Sequence, residues 1–218
     1  AAKATGFPQG LPVVATSNDK AVEGLGTGCM GDKTACVSLG TYTAAMMEGR
    51  EYLRDTKAVW PKFSCMPNKY LYDSNGIRRG MWTVSWFRDV LGDGFAKEAK
   101  AQGMSPEELL SKEAENVPVG SDGLMTVLDW LAPVDARYKK GMMIGFDGRS
   151  DRAHIYRSIL EAVAMTMKRH VDDMTNEMGV TLDQVIITGG GSNSDLLMQI
   201  FADVFGIRTV RNEVNGAA

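Results

Sequence analysis

Three consecutive glycines, Gly189, Gly190 and Gly191, separate an apolar run ending at Thr188 from a helix-like segment that begins near Ser194. Glycine accepts positive φ and lets a ligand come close to the backbone. A helix starting there aims unpaired N–H groups and the positive end of its dipole at the same space, which suits an anionic group such as a phosphate. The spacing is neither GxGxxG nor a phosphate loop with its lysine, and a tight strand-to-helix turn has the same composition. A second candidate is Leu39-Gly40-Thr41. At the bend of a hairpin, a glycine and a hydroxyl can wrap a phosphate with backbone amides and one further donor, although many β-turns contain Gly-Thr. Asp19 follows an apolar run and opens a helix. It could cap that helix. It could also accept the proton of a hydroxyl, as phosphoryl transfer to an alcohol requires. One carboxylate can do both.

These residues need elements to hold them. Leu11–Ala15 reads as a short buried strand, followed by a helix from Lys20 to Leu25 that Gly24, Gly26 and Gly28 bring to an end. Thr34–Leu39 is a second strand, and Ala44–Met47 a strand returning from it as a hairpin. From Gly80 to Leu91, the residues Trp82, Trp86, Phe87 and Val90 have the spacing of a helix face. Ser105 as N-cap, Pro106 and the acids Glu107 and Glu108 start another helix. It runs to about Glu115, is mostly charged, and suggests a solvated surface insertion over about 92–120. Leu124–Leu128 could be a strand. The clearest element spans Asp151–Met178, where Ile155, Ile159, Val163, Met167, Val171, Met174 and Met178 define one continuous helix face before Gly179. A strand (Val185–Thr188), the glycine turn, a helix (Asp195–Phe205) and a strand (Ile207–Val210) complete the chain. Strand, glycine turn, helix and strand handle nucleotides in many unrelated folds.

Composition bounds the answer. With 218 residues, 44% apolar and 23% charged, the chain fits one domain or one large lobe of a two-lobed enzyme. A net charge of −3 gives no basic footprint for nucleic acid. No apolar run reaches the roughly 18 residues of a membrane-spanning helix, and no leader pattern precedes Gly6, so the chain reads as the interior of a longer one. Cys29, Cys36 and Cys65 form no CxxC, and only His154 and His170 could assist them, which argues against a zinc site or a disulfide framework. Reduced cysteines in a cytoplasmic protein are the simpler expectation, and the 14 methionines read as flexible core filler.

Taken together, these segments resemble the FGGY carbohydrate kinases, the group that includes glycerol kinase and xylulokinase. The sharpest match is Gly141-Met142-Met143-Ile144-Gly145-Phe146, a seven-residue spacer, then His154-Ile155-Tyr156-Arg157-Ser158-Ile159-Leu160-Glu161. Phe146 stands where the family usually has an aliphatic residue. Leu11–Gly26 resembles the segment that carries the family's catalytic aspartate, with Asn18 and Lys20 replacing its usual neighbours. Val37–Thr41, Gly80–Asp89 and Thr188–Gln199 follow in the family's order. The resemblance implies an α/β fold, an actin-like ATPase (ribonuclease H-like) lobe with a mixed β-sheet flanked by helices. It implies Asp19 as general base and Gly40 and Thr41 at the phosphates. Gly80 would lie near the nucleotide, Gly190 (with Gly189 and Gly191) against it, and Asn193 or Ser194 beside the ribose or base. It implies ATP and Mg²⁺ as cofactors, no metal-ligating residue in this chain, a sugar or polyol as acceptor, and a possible homodimer. The chain would be the C-terminal lobe over residues 1–218, inactive without the amino-terminal lobe. The alternative is a non-catalytic nucleotide-binding or regulatory module of the actin-like superfamily.

Overall fold

The computed structural model describes residues 2–12, 17–134 and 136–213. Along them run α1 (Ala2–Thr5), α2 (Asp19–Thr27), β1 (Thr34–Leu39), β2 (Thr43–Gly49), β3 (Val59–Phe63), β4 (Tyr70–Ser74), α3 (Gly80–Ala101), α4 (Pro106–Ala114), β5 (Met125–Val127), β6 (Met142–Ile144), α5 (Arg152–Met178), β7 (Gln184–Thr188), α6 (Asp195–Phe205) and β8 (Arg208–Arg211). Six strands form one mixed sheet in the order β3-β4-β2-β1-β7-β8, while β5 and β6 pair separately. β1 runs antiparallel to β2, with Leu39 opposite Thr43. It runs parallel to β7, with Ser38 beside Thr188. The parallel pairing brings both glycine turns out at the same end of neighbouring strands, where α/β sheets commonly bind ligands.

Side chains alternate across the sheet. Val37, Leu39, Ala45, Met47, Val185 and Ile187 enter the main core, where α5 and α6 supply Ile159, Val163, Met167, Leu197 and Phe201. Their neighbours Cys36, Met46 and Ile186 face the other side and pack with Ala21 of α2. Each large apolar side chain buried in this way contributes about 1.5–3 kcal/mol. The three cysteines are free thiols. Burial pushes Cys36 up to about 12 and Cys29 upward as well, so both stay protonated and unreactive.

α5 has the face its spacing predicts: Ile159, Val163, Met167, Val171 and Met174 are buried, and Ile155 and Met178 pack at the margin. Asp151 caps its start by accepting from the amides of Ala153 and His154, and Gly179 (φ 66°) ends it in the left-handed region. Elsewhere the structure amends the expectations. Asn18, not Asp19, caps α2: its backbone is extended and its side chain accepts from the Ala21 amide, which leaves Asp19 as the first helical residue. α3 is interrupted at Gly92 (φ 74°), and its buried stripe is Gly80, Thr83, Val84 and Phe87, while Val90 is exposed. Residues 92–120 are solvated on one side only, since Phe95, Ala99, Leu109, Leu110 and Ala114 join the main core. The capping box predicted at Ser105 forms with Glu108. β3 and β4 had no counterpart in the sequence reading. Pro61 sits in β3, which lies at the sheet edge, where a missing N–H is tolerated. The strand expected at Leu11–Ala15 and the Asn215–Ala218 end fall largely or wholly outside the described residues.

Candidate functional site

The turn after β1 is braced from behind. Ile77 and Thr43 exchange two backbone hydrogen bonds of 3.0 and 2.7 Å, and the Met81 amide at the start of α3 donates to the Gly40 carbonyl at 3.2 Å. The Thr43 hydroxyl donates to the same carbonyl at 3.1 Å. The Gly76 amide donates to the Tyr42 hydroxyl at 3.0 Å. Gly80 explains how α3 comes so close, because a Cβ there would stand 2.1 Å from Oγ1 of Thr43. Thr41 itself is exposed.

The turn after β7 is shaped by packing against β1. Gly189 adopts φ 83°, and a Cβ there would meet the Leu39 carbonyl oxygen at 2.8 Å; one on Gly191 would meet the Leu39 side chain at the same distance. A Cβ on Gly190, by contrast, would meet nothing within 4 Å. Ser194 ends the turn and caps α6 by accepting from the Leu197 amide at 3.3 Å. Arg211 of β8 ties the turn down, donating to the Ser192 carbonyl at 2.7 Å and to Asp195 at 2.6 Å.

The two turns open into one cleft of about 680 Å³. Gly40, Thr41, Gly190, Gly191, Asn193 and Ser194 line it. Gly80 and Gly189 do not; they shape the turns by letting backbone approach. The opposite wall comes from α3 and α4, with Trp82, Ser85, Ser111 and Lys112. Sequence reasoning passed over this wall because α4 read as a solvated insertion. The available signal was Trp82 and Ser85, three residues apart and so on one face of a helix. Tyr156 and Leu160 of α5 also line the cleft. The Tyr156 hydroxyl lies 3.4 Å from that of Ser111, and burial pushes its phenol up, so it remains a neutral hydroxyl. Asp19 is not among the lining residues. It is exposed at the start of α2, and one of its carboxylate oxygens accepts from the Lys20 amide at 2.8 Å.

The Gly141–Glu161 segment mainly positions the elements around it. A Cβ on Gly141 would strike the Trp130 ring, and one on Gly145 would stand 2.2 Å from the Gly123 carbonyl oxygen. Residues 120–123 all have positive φ, including Ser121 (49°) and Asp122 (53°), an arrangement that costs non-glycine residues energy. Glu161 holds this turn, accepting from the Gly120 amide at 3.1 Å and the Ser121 hydroxyl at 3.0 Å. Arg157 pairs with the same carboxylate at 2.9 Å, both side chains being buried. His154 bonds Asp151 at 2.7 Å and Asp122 at 3.4 Å. The hydrogen bond to Asp151, chiefly, raises the pKa of His154.

Comparison with known proteins agrees with this architecture. The model for the C-terminal domain of the FGGY family of carbohydrate kinases matches residues 35–218. The chain belongs to the FGGY family of carbohydrate kinases. Among curated relatives, it is 58% identical over 218 residues to the uncharacterized sugar kinase YgcE of Escherichia coli (strain K12), covering all of this chain and 44% of that protein. Among solved structures, xylulose kinase from Rhodospirillum rubrum superposes with a TM-score of 0.81 at 24% identity, over 100% of this chain and 43% of the other. Plasmodium falciparum glycerol kinase with ADP gives 0.76 at 20% identity, over 94% and 40%. The fold is thus shared with FGGY kinases: an α/β lobe, its mixed sheet flanked by helices. The chain spans less than half the length of the curated relatives it matches. Among the described residues, no helix is long and apolar enough to cross a membrane.

Proposed function

We propose that this chain is the ATP-binding lobe of a kinase that phosphorylates a hydroxyl of a sugar or polyol. The reading is supported by the convergence of the Gly40–Thr41 and Gly190–Ser194 turns on one cleft. The cleft's volume falls within the roughly 300–1,000 Å³ of small-molecule sites. Gly190 leaves backbone open to a ligand, and among the described residues no group bonds the Thr41 hydroxyl, so both turns have free capacity for phosphate and nucleoside. In this reading Gly40 and Thr41 hold β/γ oxygens, while Gly190, Asn193, Ser194 and Trp82 surround the nucleoside. The Mg²⁺ would enter with the nucleotide, held in part by its phosphate oxygens. Bound there, it would neutralise charge that develops during transfer.

Asp19 is the base in this account: its carboxylate accepts the proton of the acceptor hydroxyl as that oxygen bonds to the γ-phosphorus, while the bond from the γ-phosphorus to the β,γ-bridging oxygen breaks and ADP leaves. Phosphoryl transfer depends on positioning and electrostatics, and the relatives are more than twice as long as this chain, so acceptor contacts are assigned to the rest of such a kinase. This chain alone is expected to bind nucleotide and to turn over no sugar. One observation favours a second reading, a non-catalytic nucleotide-binding module: Asp19 does not line the cleft. Asp19→Asn in the full-length kinase separates the two. The kinase reading expects turnover lost with nucleotide affinity retained, and unchanged turnover would contradict it.

A further inference from the structure

A second cavity, of about 820 Å³, lies on the other side of the turn after β1: Thr41 lines the first cleft and Tyr42 the second. Its walls come from α5, the Asn75–Arg78 turn, β3 and the loop that follows β5. None of its lining residues serves the function proposed above.

We propose that this cavity is a separate binding site for a small phosphorylated sugar or polyol. Arg78, Lys139 and Arg169 reach it from three different elements, and Asp129 and Asp173 are the acids among its described lining residues. Among the described lining residues three cations stand against two carboxylates, which favours a ligand with localised negative charge, and a phosphate monoester carries about −1.5 to −2 near neutral pH. The cations are only partly engaged: Arg78 donates one N–H to the Ala132 carbonyl at 2.6 Å. The Lys139 side chain has no partner among the described residues, and Arg169 meets Asp173 only at 3.8 Å. The carboxylates offer hydroxyl contacts, while Asn75 is spent on the Trp60 indole and the Lys57 carbonyl; Trp60 and Tyr42 are exposed and serve as apolar walls. Volume argues against inorganic phosphate alone, since the space is that of a drug-sized ligand. His170 lies in the same wall, and its Nδ1, shielded from solvent, finds no partner among the described residues. Desolvation, with Arg169 nearby, pushes the pKa of His170 down, so the ring is a neutral group that a hydroxyl or phosphate can engage. Because Tyr42 also accepts from Gly76 behind the Gly40–Thr41 turn, a ligand here touches the support of the first site.

The chain contains two histidines, His154 and His170, so imidazole NMR reads the second cavity and an internal control together. The chain is titrated with glucose 6-phosphate, ribulose 5-phosphate and glycerol 3-phosphate in turn, and with glucose and inorganic phosphate as separate arms, without nucleotide. At least one phosphorylated compound is expected to raise the pH at which His170 titrates while leaving His154 unmoved. Lys139→Gln and Arg169→Gln are each expected to weaken that response by about tenfold or more, the loss of one charge-assisted hydrogen bond. Three results overturn the proposal: no response of His170 to any of the three, an equal response to inorganic phosphate, or undiminished affinity in both variants. The variants lie on the surface, and an unchanged His154 signal establishes that they fold.

Discussion

A Cβ on Gly80 would stand 2.1 Å from the Thr43 hydroxyl oxygen, whereas one on Gly190 would meet no atom within 4 Å. The same residue type therefore serves two purposes, and the two sites respond differently to substitution. Gly80→Ala forces α3 away from the turn after β1, an overpacking that costs about 1–3 kcal/mol. Urea unfolding should report that loss, and an unchanged midpoint would show that the helix start gives way easily. Gly190→Asp puts its Cβ where no atom lies within 4 Å and should leave stability within about 0.5 kcal/mol, while it places a carboxylate where the proposed function puts the nucleotide. Of the eight residues that the resemblance linked to nucleotide, six line the cleft and two shape it. That split depends on distances to Thr43 and Leu39, partners set by the fold and not by local sequence.

At the scale of elements, the Gly141–Glu161 segment locks a strained turn to α5. Glu161→Ala would leave Arg157 buried without its partner and release Gly120 and Ser121, a loss of about 3–5 kcal/mol measurable by denaturant unfolding. A loss below 1 kcal/mol would show that the turn holds itself. His154 adds a pH dependence with a definite sign. Its folded pKa is raised, chiefly by the hydrogen bond to Asp151, so its contribution is complete below the unfolded value of about 6.5 and fades as pH climbs through the folded value. The stability difference between the native chain and His154→Gln should therefore shrink from pH 6 upward; a difference that grows would reverse the assignment. α5, β7 and α6 were legible because long or strictly periodic apolar patterns and glycine caps mark them locally. β3 was not, because Pro61 argues against a strand unless its edge position is known. α4 read as a solvated insertion because its charged residues outnumber Leu109, Leu110 and Ala114, which reach the core from its other side. The cleft wall of Trp82, Ser85 and Ser111 was hidden for the same reason, since it exists only once α3 and α4 are packed together.

For the whole molecule, one pairing matters most: β1 beside β7 in parallel, which brings two turns separated by nearly 150 residues of chain out at the same end of neighbouring interior strands. The resemblance to the FGGY family already implied that meeting, while the identity of the acceptor was not legible, because the acceptor contacts are assigned to the rest of the kinase. The account makes the chain a nucleotide lobe that is catalytically incomplete, so a preparation free of host kinases should show no sugar phosphorylation. Clear turnover by the chain alone would require an acceptor site within it. The most direct test is calorimetric titration of Mg-ATP into the chain, beside the Gly190→Asp variant. The account predicts saturable heat from the native chain, lost in a variant whose unfolding midpoint is unchanged. A folded native chain that takes up no nucleotide, or a variant that binds equally well, would contradict it.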